Sequence, residues 1–291
     1  MKPRFLFPSI FRYLGYLLAL PGFVLGYFVL YKDYAIPGFE LKLRAKNEVF
    51  LPAIENFTNE LAITLVIIGL LFIAFSKVKR EDELTARIRL SSLYWAILAN
   101  YAIYFVLFIV VRVCWALNIT FLGPDSYDND FIQYNLFTPL LIFIVIFYYR
   151  LYRSKNEYNS QPNRYLPNKP YRFLGVFGAV AMVLLLIAGA VFNTPSFDFC
   201  FQFLPFPLLL WAYSKEKTDD EYIDSIRLEA MQMAVYVNYC ILLISNFLVY
   251  GLDFLGVESF NMLTIPVIYI AWFHYKMYRI NHQTEVKAAQ S

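Results

Sequence analysis

The sequence predicts an all-α polytopic membrane protein, with eight transmembrane helices arranged as two tandem, parallel four-helix repeats. Three observations predict it. Apolar residues make up 59% of the 291-residue chain and charged residues 16%, with a mean hydropathy of +0.50, whereas soluble domains average about 45–50% apolar and about 25% charged. Eight apolar runs approach or reach the roughly 20 residues that a spanning helix needs. A 28-residue stretch also occurs twice, at Ser76 to Ile103 and at Ser214 to Ile241, with identity at twelve positions.

The first span is expected over 13–31. Lys2, Arg4 and Arg12 precede it as in a signal peptide, but no small-x-small cleavage site follows, so a retained helix is expected. The second span, 61–76, is short and lies between charged loops. The third, 92–116, emerges from the charged 77–89 loop, and the fourth covers 132–149. A linker over 156–170, rich in Asn, Gln, Pro and Lys, separates a first repeat (1–155) from a second (171–291). Spans follow at 173–192, 199–213, 230–251 and 262–278, the sixth again short. Pro139, Pro205, Pro207 and Pro266 are expected at helix entries or kinks. The 29 Phe and 24 Tyr suit aromatic belts at the two interfaces. Cys114, Cys200 and Cys240 form no CxxC pair and are expected as small buried side chains.

Basic residues set the orientation. With the N-terminus inside, inner segments hold 20 of the 25 Lys and Arg, and outer loops hold four, all within 32–60. The outer loops 118–131, 193–198 and 252–261 have none, but carry Asp125, Asp128, Asp130, Asp198, Asp253 and Glu258. Both termini are therefore expected in the cytoplasm of a plasma (inner) membrane.

The duplication extends past the 28-residue stretch. Phe11-Arg12-Tyr13-Leu14-Gly15 matches Tyr171-Arg172-Phe173-Leu174-Gly175, and Phe147-x-Tyr149-Arg150 matches Phe273-x-Tyr275-Lys276. Asn135-x-x-Thr138 matches Asn261-x-x-Thr264. Four spans per half is an even number, so both halves enter in the same sense, and a pseudo-two-fold along the membrane normal is expected.

Within the repeated stretch, Asp82, Arg89, Ala96, Asn100 and Ile103 fall within about 60° of helical arc, as do Asp220, Arg227, Ala234, Asn238 and Ile241. A buried stripe is expected. Asn100 and Asn238 lie roughly 16 Å beyond the arginines, near mid-membrane, where they serve as interhelical glue or as a ligand contact. Asp82-Glu83 and Asp220-Glu221 are expected to cap the helix and pair with Arg89 and Arg227; Thr218-x-x-Glu221 has the form of a capping box. These six residues are also the candidate cytoplasmic binding surface. Arg112, inside the third span, is expected to snorkel towards Asp125, Asp128 or Asp130. His274 and His282 lack partners at metal-ligand spacing, so neither metal nor cofactor is expected.

No Walker loop, HExxH, GxSxG or dinucleotide fingerprint occurs. Intramembrane prenyltransferases of the UbiA type have a similar length and Asp-rich loops after helices 2 and 6. Asp219-Asp220-x-x-x-Asp224 is similar to such a loop, but Glu81-Asp82-Glu83 followed by Leu-Thr-Ala lacks the pattern, so that activity is not expected. Asp82-Glu83-x(4)-Ile88 and Asp220-Glu221-x(4)-Ile226 resemble small four-helix prokaryotic membrane proteins of uncharacterised function, which carry Asp-Glu-Arg and a following Ile between helices 2 and 3. Leu84 and Tyr222 replace that Arg. The resemblance covers each half once and implies topology rather than activity. The expected function is a non-enzymatic sensor or scaffold, embedded in the lipid bilayer and engaging a cytoplasmic protein through the duplicated segments, with no nucleic acid involved. The alternative is a carrier or channel for a small solute at the Asn100/Asn238 level.

Overall fold

The computed structural model of the chain describes residues 6–42, 54–78, 82–117, 135–154, 165–192, 199–216, 220–249 and 252–290. It is an all-α structure with one small hairpin. In chain order the elements are α1 (Ile10–Lys32), β1 (Glu40–Lys42), β2 (Ile54–Asn56), α2 (Thr58–Phe75), α3 (Glu83–Ala116), α4 (Thr138–Ser154), α5 (Tyr171–Phe192), α6 (Phe199–Phe203), α7 (Pro205–Ala212), α8 (Glu221–Leu248) and α9 (Leu252–Gln290). Among the described residues, six helices have a segment long and apolar enough to cross a membrane: α1, α2, α3, α5, α8 and the 256–280 part of α9. In a bilayer, apolar runs of this length form helices because every backbone donor and acceptor must be satisfied within the segment.

The remaining two predicted spans are shorter. α4 has 17 residues. The 199–213 run is not one helix but two, α6 and α7, parted at Leu204. Pro205 and Pro207 have no N–H to donate to the carbonyls four residues earlier. Leu204 and Leu208 keep the chain coiled by donating to Cys200 and Leu204 at 3.0 and 3.4 Å. The predicted 252–261 loop is corrected, since α9 already begins at Leu252. The hairpin, with Glu40 opposite Asn56, was not legible as strands. Loop 118–131 and Thr218 lie outside the described residues.

The chain divides into two compact units, 1–160 with 239–258, and 161–238 with 259–291. Helices α8 and α9 contribute to both.

In the first unit α1 packs on α2 through small residues. Gly15, Ala19 and Gly22 form its buried face, while Leu17, Leu20 and Val24 on the opposite side are exposed. A Cβ on Gly15 would lie 2.7 Å from the Gly69 carbonyl oxygen and 2.9 Å from the Ile73 nitrogen, so glycine is required by the close approach. α3 packs on α4, whose Phe143 and Phe147 form a ring ladder with Phe75 of α2 (centroids 5.3 and 6.0 Å apart). Ahead of α1, Phe7 pairs with the exit of α2: its N–H donates to Phe75 and its carbonyl accepts from Lys77, at 3.0 and 2.9 Å. Tyr101 and Tyr239, at equivalent positions of the repeated stretch, are both buried here.

In the second unit α5 packs on α7 in the same manner. A Cβ on Gly175 would lie 2.5 Å from the Trp211 nitrogen and 2.9 Å from the Pro207 carbonyl oxygen. Leu166 precedes α5, donates to Tyr213 and accepts from Lys215, both at 2.9 Å. Tyr269 and Phe273 of α9 are buried and stacked. Of the cysteines, Cys200 is buried as expected, whereas Cys240 is exposed on α8 among apolar neighbours.

Candidate functional site: the duplicated motif and its supports

Each repeated stretch begins with an aspartate that caps a helix. Asp82 accepts from the Thr85 N–H at 2.8 Å and Asp220 from the Ile223 N–H at 2.7 Å, while their carbonyls take the first bonds of α3 and α8, from Ala86 and Asp224. This is the N-cap geometry that Asp favours, because it satisfies one of the donors a helix start leaves open. The Thr85 N–H holds the Asp82 carboxyl below the usual carboxylate range. In the second copy the cap is Asp220. Asp82, Glu83, Asp220 and Glu221 are all exposed.

The two arginines are not on that surface. Arg89 is 2% and Arg227 1% exposed. Arg89 Nη1 donates to the Ala74 carbonyl at 2.8 Å, and Arg227 Nη1 to the Ser214 carbonyl at 2.8 Å. Both acceptors lie at the exit of the helix preceding the motif, where the last carbonyls lack partners and the dipole favours a cation. Each guanidinium also lies over an aromatic ring. Arg89 is 4.4 Å from the Phe147 centroid, and Arg227 is 5.2 Å from Phe273 and 4.5 Å from Tyr165. Tyr165 in turn donates its hydroxyl to Asp224. Burial first, then that bond, pushes the Tyr165 hydroxyl well above its ordinary range. Each guanidinium thus combines a bond to a carbonyl with a stack on a ring, the arrangement a planar guanidinium suits.

Two residues further along, about half a turn, polar contacts join the motif helix to its neighbour. Arg150 Nη1 lies 3.0 Å from Ser91 Oγ, and Lys276 Nζ lies 2.5 Å from Glu229 Oε2. Deeper still, Asn100 donates to Asn135 Oδ1 at 2.6 Å and accepts from Thr138 Oγ1 at 2.8 Å. In the second unit Thr264 donates to Asn238 and lies 2.8 Å from the Asn261 carbonyl. Both asparagines are buried and bonded within their own unit. The expected stripe is buried from the arginine to the asparagine and ends there, since Ile103 and Ile241 are exposed.

A scan against family models, curated proteins and solved structures finds no match. The site is therefore read from its own geometry. The motif contributes exposed acids held by buried fixtures.

Two groups missed at the sequence level are buried carboxylates. Glu60, in the first turn of α2, is 9% exposed and Glu258 of α9 is 3% exposed; among the described residues the Oε2 of each has no hydrogen-bond partner. Both read as outer-loop or span-end residues in a hydropathy scan, so nothing in the local sequence announced their burial. Arg112 lies 5.2 Å over the Phe108 ring of its own helix; the aspartates expected to face it are outside the described residues.

Proposed function

We propose that this chain is a non-enzymatic scaffold or sensor of the plasma membrane, with eight spans in two tandem four-helix repeats and both termini in the cytoplasm. Its Asp82-Glu83 and Asp220-Glu221 segments engage a cytoplasmic protein. The observation that carries the reading is the division within the motif. In both copies the acids are exposed, while the cap, arginine and asparagine contacts that follow are fixed in place. Two exposed acidic turns on immobilised helix starts suit recognition of a basic surface, for which charge complementarity gives rate and specificity.

The repeat reading is supported contact by contact. Gly15 against positions 69 and 73 corresponds to Gly175 against 207 and 211. Phe7 on 75 and 77 corresponds to Leu166 on 213 and 215. Arg89 on Phe147 corresponds to Arg227 on Phe273, and Ser91–Arg150 to Glu229–Lys276. The offsets are the 160, 138 and 126 by which the sequence repeats, except that Leu166 is displaced from Phe7 by 159. Bonded Asn100 and Asn238 favour the scaffold over a carrier, because a carrier at that level would have to break Asn–Thr bonds to admit solute.

The test replaces charge without losing the caps, since Asn caps as well as Asp. A photo-crosslinking residue is placed at Tyr222, beside the second acid pair, in the wild type and in D82N/E83Q/D220N/E221Q. A discrete protein adduct is expected in cells, falling at least about fivefold in the neutral variant at equal membrane abundance. An adduct of unchanged yield would falsify the acidic docking surface.

A further inference from the structure

The far end of the first unit, opposite the motif, carries a built polar site. There Asn246 of α8, itself 2% exposed, donates through Nδ2 to the Glu60 carbonyl at 2.9 Å and to Thr64 Oγ1 at 3.2 Å. Glu60 and Thr64 are one turn apart on α2, so Asn246 gathers them on one face. The approach to this point is fixed as well. Asn56 and Thr58 bond each other and clasp residue 36: Ile36 N–H donates to Thr58 Oγ1 at 2.8 Å and Asn56 Nδ2 to the Ile36 carbonyl at 2.9 Å.

Within this frame Glu60 is the unexplained member. Its Oε2 is buried and has no hydrogen-bond partner among the described residues. A first-turn acid normally sits in water and complements the helix dipole for about 0.3–1 kcal/mol. A carboxylate withdrawn from water loses several kcal/mol of hydration, which the dipole does not offset. Beside the Asn246 amide nitrogen, the polar atoms gathered at this point are the Glu60 carbonyl and Thr64 Oγ1, and oxygen is the donor type of hard cations. Among the described residues no three His, Cys, Asp or Glu side chains come together, so the charge complement of a divalent or transition-metal site is lacking. One buried carboxylate matches one positive charge.

We propose that Glu60, with Thr64 Oγ1 beside it, forms a binding site for a monovalent alkali cation at the far end of the first unit. The site is independent of the acidic docking segments, so either can fail without the other.

The experiment measures the thermal midpoint of the purified full-length protein in detergent, titrated with NaCl or KCl against N-methylglucamine chloride at constant ionic strength. A parallel series varies pH in N-methylglucamine chloride alone. Wild type is expected to gain roughly 5 °C or more as Na+ or K+ reaches a hundred times its dissociation constant. E60Q, which keeps shape and removes charge, is expected to lose that response. T64V is expected to keep it with half-saturation raised about tenfold, and it carries the test if E60Q does not accumulate. No difference between alkali and N-methylglucamine salts, or equal responses in wild type and E60Q, overturns the proposal. Stabilisation by acid alone, with no alkali response, also overturns it in favour of simple protonation of Glu60.

Discussion

Arg89 and Arg227 show how one residue type is used twice for the same task. Each lies in the second turn of its motif helix, reaches back to the exit of the preceding helix, and closes a carbonyl that the helix end leaves open. The ring beneath each guanidinium adds about 0.5–2 kcal/mol in a desolvated setting, and a hydrogen bond to a charged donor about 1.5–3. R89L and R227L are each expected to lower stability by about 2–4 kcal/mol, read as a fall in the thermal midpoint in detergent. Lysine at either position should not restore it, because an ammonium cannot stack and donate in one plane. Full stability in R89K and R227K would show that charge alone suffices. The caps were legible in the sequence, because an N-cap is a local event: the acid, the turn and the N–H it serves lie within three residues. The arginine contacts were not. Ala74 and Phe147 lie 15 and 58 residues from Arg89, and local pattern ranked the adjacent acids as the obvious partners.

At the level of elements, the pairing of α1 with α2 and of α5 with α7 depends on glycine. A side chain at Gly15 or Gly175 would meet backbone atoms of α2 or α7 at 2.5–2.9 Å, and backbone cannot yield as a flexible side chain can. G15V and G175V are therefore expected to separate α1 from α2 and α5 from α7, at a cost of about 1–3 kcal/mol or more from overpacking. Engineered cysteine pairs across each helix contact would report it, with disulfide yield falling in the valine variants. Retention of full yield would mean that the helices meet elsewhere. The existence and order of the helices were legible, because apolar length is a robust signal. The break at Leu204 was legible only as two prolines. Whether such residues kink a helix or divide it depends on how the freed carbonyls Phe201 and Phe203 are placed, which local sequence does not encode. The helical start of α9 was missed for the opposite reason. Asp253, Gly256 and Glu258 read as loop composition, yet the chain is helical from Leu252, so tertiary context overrides that local preference.

For the whole molecule, topology turns on the short segments. Between Lys77 and Lys215 the chain runs through α3, α4, α5 and the broken α6–α7. If all four cross the bilayer, parity returns the chain to the side it left, and both repeated motifs face the cytoplasm. If α6–α7 turns back within the membrane, three crossings put the motifs on opposite faces and remove the shared acidic surface. From 199 to 212 the segment is about 20 Å long if helical throughout, less than the roughly 30 Å hydrocarbon thickness, so length alone does not decide. Charge supports the proposed crossing: Lys215 and Lys217 follow the segment, and the 193–198 loop before it has no basic residue. Positive charge is retained on the cytoplasmic side, which favours crossing. In a background with Cys114, Cys200 and Cys240 replaced by serine, K77C and K215C are expected to resist an impermeant maleimide in intact cells and react after permeabilisation. Y34C, just past α1, is expected to react in both. Labelling of K215C but not K77C in intact cells would give α6–α7 a re-entrant path, in which Pro205 and Pro207 mark the reversal rather than a bend.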